Sequence, residues 1–359
     1  MVTVTHTGLK AGLAVASAMW IAVPATAQVA TQSVPPVAGA AVLTVERIKV
    51  NSPAIRGNLE GESADRDVLV VLPPGYATNP RRRYPVVYAL HGYSIGAEQW
   101  TREIQVPQTI AGAFAKGARA MIVVFPDSKT IHNGSMYSSS VTTGDFETFI
   151  ARDLIAYIDR HYRTIADRRS RGLVGHSMGG YGTTRIGFKH PDMFGALYIM
   201  SPCCLSPRDP AQLKGEAMAA LEKVKSPAES ASLPFMVRAQ LASAAAWSPN
   251  PGKAPLYLDL PVKGGLAQPD VLARWTANAP LAMIDQYAGN LRQYKAIAID
   301  VGDRDGLKDD AGKLHAALDR YGIANSFTVY PGDHVSNVAE RFQDSVMPFF
   351  TRNLVGAER

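Results

Sequence analysis

A short apolar run, Arg171 to Val174, passes directly into Gly175-His176-Ser177-Met178-Gly179-Gly180, and a helical stretch from about Met178 to His190 follows at once. Few backbones accept that order. A serine with glycine two residues to either side, between a strand and a helix, fits a turn in which neighbouring backbones pass where a β-carbon would not fit. The turn projects the serine oxygen outward, and the helix behind it aims unpaired N–H groups and the positive end of its dipole at the same point. A strand of this kind sits inside a sheet of parallel strands, so the turn commits the chain to strands alternating with helices. The blander reading is a structural Gly-rich turn, and the flanking strand and helix argue against it.

The remaining sequence keeps that rhythm. Val68 to Leu72 reads as an early strand ended by Pro73-Pro74-Gly75, and Pro85 to Leu90 and Ala120 to Phe125 read as buried strands. Ala196 to Met200, Ala296 to Val301 and Phe327 to Tyr330 read as later ones. Phe146, Phe149, Ile150, Leu154, Ile155 and Ile158 recur at helical spacing, and a closing helix is expected from about Ser336 to Leu354. The fold class is α/β, a mostly parallel central sheet flanked by helices, over residues 45–355. Between the strands at 196–200 and 296–301 lies far more chain than one crossover needs. Helical runs near 211–225 and 268–290 flank a Pro-rich centre, so residues 205–290 are expected to form a cap-like insertion over the sheet.

The N-terminus reads as a secretory signal. Lys10 precedes an apolar stretch from Ala11 to Val23, and Ala25-Thr26-Ala27 supplies the small residues of a cleavage site. Residues 1–27 are the expected signal peptide, cleaved after Ala27, and residues 28–44 a flexible lead-in. An uncleaved anchor is the alternative, but the run is short for a membrane span and Pro24 interrupts it. The mature chain is expected to be secreted or periplasmic, without a membrane span. The net charge of +6 is mild for 359 residues, and aromatics do not interleave with the basic run Arg81-Arg82-Arg83, so no nucleic-acid surface is expected. The two cysteines, Cys203 and Cys204, are neighbours and are read as free thiols. They lack ligand spacing, and neither a metal nor an organic cofactor is expected.

A serine hydroxyl needs a base to become a nucleophile. Three histidines follow Ser177. His190 precedes a proline at a helix end and suits a surface role, and His315 lies in a helical stretch of mixed polarity. His334, in the loop beyond the last strand, is the candidate base, because loops at the carboxyl ends of parallel strands form the working face. The acid belongs on the loop after the preceding strand. Asp305 is preferred there, Asp303 is the alternative, and Asp300 still lies within the strand. Two N–H donors are needed for an oxyanion, and Met178 and Tyr93 are the candidates. His91 is read as bracing the Tyr93 loop. Trp100, Tyr137, Ser138 and Ser139 are weaker candidates for pocket contacts.

The combination Leu90-His91-Gly92, Pro126-Asp127, Gly175-His176-Ser177-Met178-Gly179-Gly180, Asp305 and His334 resembles the putative-esterase family of α/β-hydrolases, which includes S-formylglutathione hydrolases, feruloyl esterases and mycolyltransferases. The resemblance covers about residues 65–204 and 295–350, and the insertion departs from the compact members. It implies a serine esterase with Ser177, Asp305 and His334 as its triad and a hole at Tyr93 and Met178, acting on a small-molecule ester. An acyltransferase would carry the same residues, and an inactive binding module on the same fold is the remaining alternative.

Overall fold

Runs of β-branched and aromatic residues build one eight-stranded sheet. A computed structural model describes residues 31–212 and 216–356. The strands are β1 (Thr44–Asn51), β2 (Asp65–Leu72), β3 (Val86–Leu90), β4 (Ile122–Pro126), β5 (Arg171–His176), β6 (Ala196–Met200), β7 (Ala296–Gly302) and β8 (Ser326–Tyr330). Their order is β1-β2-β4-β3-β5-β6-β7-β8. β2 runs antiparallel to both β1 and β4, and every other neighbour is parallel. This is the mostly parallel α/β-hydrolase sheet.

Strand side chains alternate between two layers. Val86, Tyr88 and Leu90 enter one core, with Phe146, Phe149 and Ile158 of the helical run Phe146–His161. Val87 and Ala89 enter the other, against Trp100, Ile110, Phe342 and Phe350 from the helices at 97–115 and 338–353. The helix Met178–Lys189 belongs to the first layer and is buried along most of its length. It holds several glycines that a helix ordinarily disfavours by about 1 kcal/mol each. Close packing explains two of them: a β-carbon on Gly182 would lie 2.5 Å from the Tyr137 ring, and one on Gly187 2.5 Å from Leu197.

The segment between β6 and β7 contains the helices Glu216–Glu222, Phe235–Trp247, Pro269–Thr276 and Pro280–Leu291, and a short strand pair at Val262–Lys263 and Leu266–Ala267. The single helical run read at 268–290 is two helices, with Pro280 opening the second. Trp247 and Trp275 meet edge to face at 5.4 Å, and their indole N–H groups donate to Ser138 Oγ and Ser248 Oγ at 3.1 and 2.9 Å. Arg185 joins this segment to the core, donating to Glu147 Oε2 at 2.7 Å and to Asn278 Oδ1 at 2.6 Å.

The expected signal peptide, residues 1–27, lies outside the described residues. Residues 31–43 form no strand or helix, yet they lie against the fold: Val34 is buried, and its carbonyl accepts from Gln108 Nε2. Among the described residues, no helix is long and apolar enough to cross a membrane.

Candidate active site

The register of the sheet brings distant residues to one rim. Leu90 pairs with Gly175, His176 with Met200, and Gly302 with Tyr330. The residues that follow these strand ends therefore share the carboxyl edge of the sheet. They include Tyr93, Ser177, Cys203, Asp305 and His334.

Ser177 has φ 60° and ψ −115°, a conformation that costs a non-glycine residue about 1–3 kcal/mol. The turn is held by its surroundings. A β-carbon on Gly179 would sit 2.0 Å from the Leu90 carbonyl oxygen, and one on Gly175 2.2 Å from that of Gly179. The Ser177 N–H donates to the Met200 carbonyl at 3.0 Å, and the Ser177 carbonyl accepts from Tyr181 and Cys203.

His334 spans the gap between hydroxyl and acid. Its Nδ1 lies 2.9 Å from Asp305 Oδ2, and its Nε2 lies 2.9 Å from Ser177 Oγ. A carboxylate only accepts, so Nδ1 carries the hydrogen and the Nε2 lone pair faces the serine hydroxyl. Burial opposes the charge on Asp305, yet the hydrogen bond from His334, with the Leu307 N–H, holds its pKa below the usual carboxylate range. Asp303 does something else. It is exposed, accepts from the Gly332 N–H at 2.8 Å and pairs with Arg304. Asp300 is buried with Arg341 and Tyr198, and Asp333 accepts from the N–H groups of Val335 and Ser336.

His176 was not singled out by sequence reasoning, and it sits beside this chain. Its ring lies 4.7 Å from that of His334, and its Nε2–H donates to the His334 carbonyl at 2.7 Å. Burial pushes its pKa down to about 3, so it stays a neutral donor. It positions the loop that carries His334.

The Met178 N–H opens the helix, where no intrahelical acceptor exists. The Tyr93 N–H likewise has no backbone acceptor among the described residues. A β-carbon on Gly92 would lie 3.4 Å from Ser177 Cβ, which brings the Tyr93 backbone alongside the serine. His91 braces this loop: its Nε2 accepts from the Ser128 N–H at 2.8 Å and its Nδ1–H donates to the Gly92 carbonyl at 2.8 Å.

A cavity of about 390 Å³ opens over Ser177, bounded by Tyr93, Met136, Met178, Cys203, Cys204, Arg208, Phe235, Met236, Gln240, Leu307 and His334 among others. The weaker pocket candidates lie elsewhere. Trp100 packs against Phe125 and Phe342 in the layer on the other face of the sheet. Tyr137 is buried, donating to the His91 carbonyl, and Ser138 is buried beneath Trp247. Ser139 is exposed in a short strand pair. His190 is half-buried against Glu147, and His315 stacks on Phe327. Among the described residues, no cluster of three or more His, Cys, Asp or Glu side chains could hold a metal.

Comparison with known proteins identifies the family and the fold. Residues 62–344 match the model of the family described as Putative esterase. A stretch of 154 residues is 31% identical to an endo-1,4-beta-xylanase/feruloyl esterase of Xylanibacter ruminicola, covering 40% of this chain and 21% of that relative's length. The structure of a ferulic acid esterase superposes with a TM-score of 0.60 at 25% identity, covering 87% of this chain and 99% of that one. An S-formylglutathione hydrolase of Staphylococcus aureus shares the fold with a TM-score of 0.56 at 16% identity, covering 87% of this chain and 99% of that one. The chain has the α/β-hydrolase fold and belongs to the Putative esterase family.

Proposed function

We propose that this chain is an exported serine esterase that cleaves small carboxylic esters through an acyl-enzyme on Ser177. The reading is carried by the hydrogen-bonded line from Ser177 Oγ through His334 to the buried Asp305, opening into an apolar cavity. His334 Nε2 takes the hydroxyl proton as Ser177 attacks the ester carbonyl. Asp305 fixes the tautomer and offsets the charge of the imidazolium. The N–H groups of Met178 and Tyr93 stabilise the oxyanion, each worth about a hundred- to a thousandfold in turnover. His334 then protonates the leaving alcohol. Water, deprotonated by the same imidazole, releases the acid and restores the serine.

Export rests on the apolar stretch from Ala11 to Val23 and on Ala25-Thr26-Ala27. Feruloyl esters enter the substrate panel because a feruloyl esterase is among the relatives. The test is a panel of short-acyl, aryl and feruloyl esters, with and without added acceptor alcohols, run on the wild type and Ser177→Ala. Ser177→Ala should lower turnover by about a millionfold while the protein stays folded. Retained turnover would place the chemistry elsewhere, and transfer product exceeding free acid would make the protein an acyltransferase.

A further inference from the structure

The cavity over Ser177 is lined largely by apolar groups, among them Tyr93, Met136, Met178, Phe235, Met236 and Leu307. Arg208 is the only Lys or Arg among its lining residues. It forms no ion pair with any described residue. Among the described residues its one side-chain hydrogen bond runs from Nη2 to Cys204 Sγ at 3.5 Å, and sulfur is a weak acceptor for a group with five N–H donors. The buried arginines elsewhere are matched with carboxylates, Arg66 with Asp127, Arg171 with Asp159 and Arg185 with Glu147, and the half-buried Arg119, Arg163, Arg168 and Arg238 donate to backbone carbonyls. The one carboxylate on the cavity wall, Asp305, is engaged by His334. A second polar group is also unspent. Gln240 lines the same cavity, and its Oε1 is buried without a hydrogen-bond partner among the described residues. A half-turn of that amide puts its NH₂ in the same place.

We propose that Arg208, assisted by Gln240, is a specificity-determining residue that selects esters bearing a carboxylate in addition to the scissile bond. The proposal deepens the esterase reading and rests on it. A guanidinium in an apolar pocket recognises a planar, two-oxygen anion through paired N–H donors. One cation matches one negative charge, which favours a carboxylate over a dianionic phosphate. The apolar walls would then receive the chain or ring between that carboxylate and the ester. A neutral ester of equal length leaves Arg208 without a partner.

The test compares matched esters, each rate divided by its rate of hydroxide hydrolysis. One pair carries the charge in the acyl part: mono-4-nitrophenyl glutarate against 4-nitrophenyl valerate. The other carries it in the alcohol part: 4-carboxyphenyl butyrate against 4-carbamoylphenyl butyrate. In at least one pair, kcat/KM should favour the anion by about ten- to a hundredfold, the range of a hydrogen bond to a charged group. Arg208→Gln should bring that ratio to near unity, mainly through KM, and Arg208→Lys should keep part of it. The ratio is read within each variant, so a general loss of activity cancels. Ser177-dependent turnover without anion preference in either pair, or a preference that survives Arg208→Gln, overturns the proposal alone. Absence of any Ser177-dependent turnover overturns the esterase reading, and the proposal with it.

Discussion

Replacing Asp305 by asparagine removes one charge and little volume, so it isolates what the buried carboxylate does. In the resting state its loss is modest, because an amide oxygen still accepts from His334 Nδ1. The cost falls on the step in which His334 becomes positive. Asp305 Oδ2 and His334 Nδ1 are 2.9 Å apart, and their charges are delocalised, so the charge centres stand near 4 Å. At that separation and an effective dielectric constant of about 20, the attraction is about 4 kcal/mol. Each 1.4 kcal/mol is tenfold, so Asp305→Asn should lower kcat/KM about a thousandfold. Asp303 is exposed and holds the Gly332 N–H, so Asp303→Asn should change the rate less than about threefold. The assay is hydrolysis of 4-nitrophenyl butyrate by both variants, with circular dichroism as the control for folding. A folded Asp305→Asn enzyme that loses less than tenfold, or an Asp303→Asn enzyme that loses as much, would refute the electrostatic argument.

Three further outcomes follow from the same rim. His176 stays neutral down to about pH 3, facing His334 and Asp305, whereas an unfolded histidine protonates near 6.5. The unfolded chain therefore takes up the proton first, and this contribution to stability is complete above about pH 6.5 and is lost as the pH falls. In urea unfolding at pH 4, 5 and 6, His176→Gln should flatten the acid slope by about 1.4 kcal/mol per pH unit, and an unchanged slope would remove the buried-neutral assignment. Gly179→Ala drives a β-carbon into backbone that cannot swing aside, and should destabilise the fold by about 3 kcal/mol, whereas Gly289→Ala meets nothing within 4 Å and should stabilise it slightly. Thermal melts of the two variants decide this. A hydrogen bond from Cys203, with the charge of Arg208, holds the Cys204 thiol below its ordinary range against the effect of burial. Iodoacetamide at pH 7 should modify Cys204 more slowly in Cys203→Ala, read by peptide mass, and an equal rate would sink that account.

What the sequence made legible is what steric necessity dictates. The glycines around Ser177 have no alternative, because backbone occupies the space their side chains would need. The core strands were readable for a related reason: they are buried on both faces and appear as unbroken apolar runs. β1 was missed because the adjacent Glu46 and Arg47 break the polar–apolar alternation of a half-exposed edge strand. The helix Phe235–Trp247 was missed because alanines surround it, with no apolar stripe to reveal a period. Asp305 and Asp303 share one turn, and only the fold determines which side chain turns toward His334. Trp100 and Tyr137 failed as pocket residues because closeness to a rim loop in sequence does not say which face a side chain enters. His176 escaped notice because its role is to hold a carbonyl 158 residues away in sequence.

The proposed catalytic groups and the proposed ester-selecting wall stand on different parts of the chain. Ser177, Asp305 and His334 follow strands of the sheet, whereas Arg208, Phe235, Met236 and Gln240 come from the segment between β6 and β7. That segment could be taken for a detachable cover, but its contacts argue otherwise. His132 is fully buried between Ser230 of the segment, at 3.2 Å, and Glu60 of the core, at 2.7 Å. The carbonyl of the same His132 accepts from the Tyr93 hydroxyl, and the Tyr93 ring meets Phe235 edge to face at 5.2 Å. A shift of the segment therefore reaches the loop that carries the proposed oxyanion donor Tyr93 through one buried residue. Substitutions along the outer wall should change which ester binds, whereas substitutions at the His132 junction should change turnover of every ester, because they loosen the Tyr93 loop that all of them use.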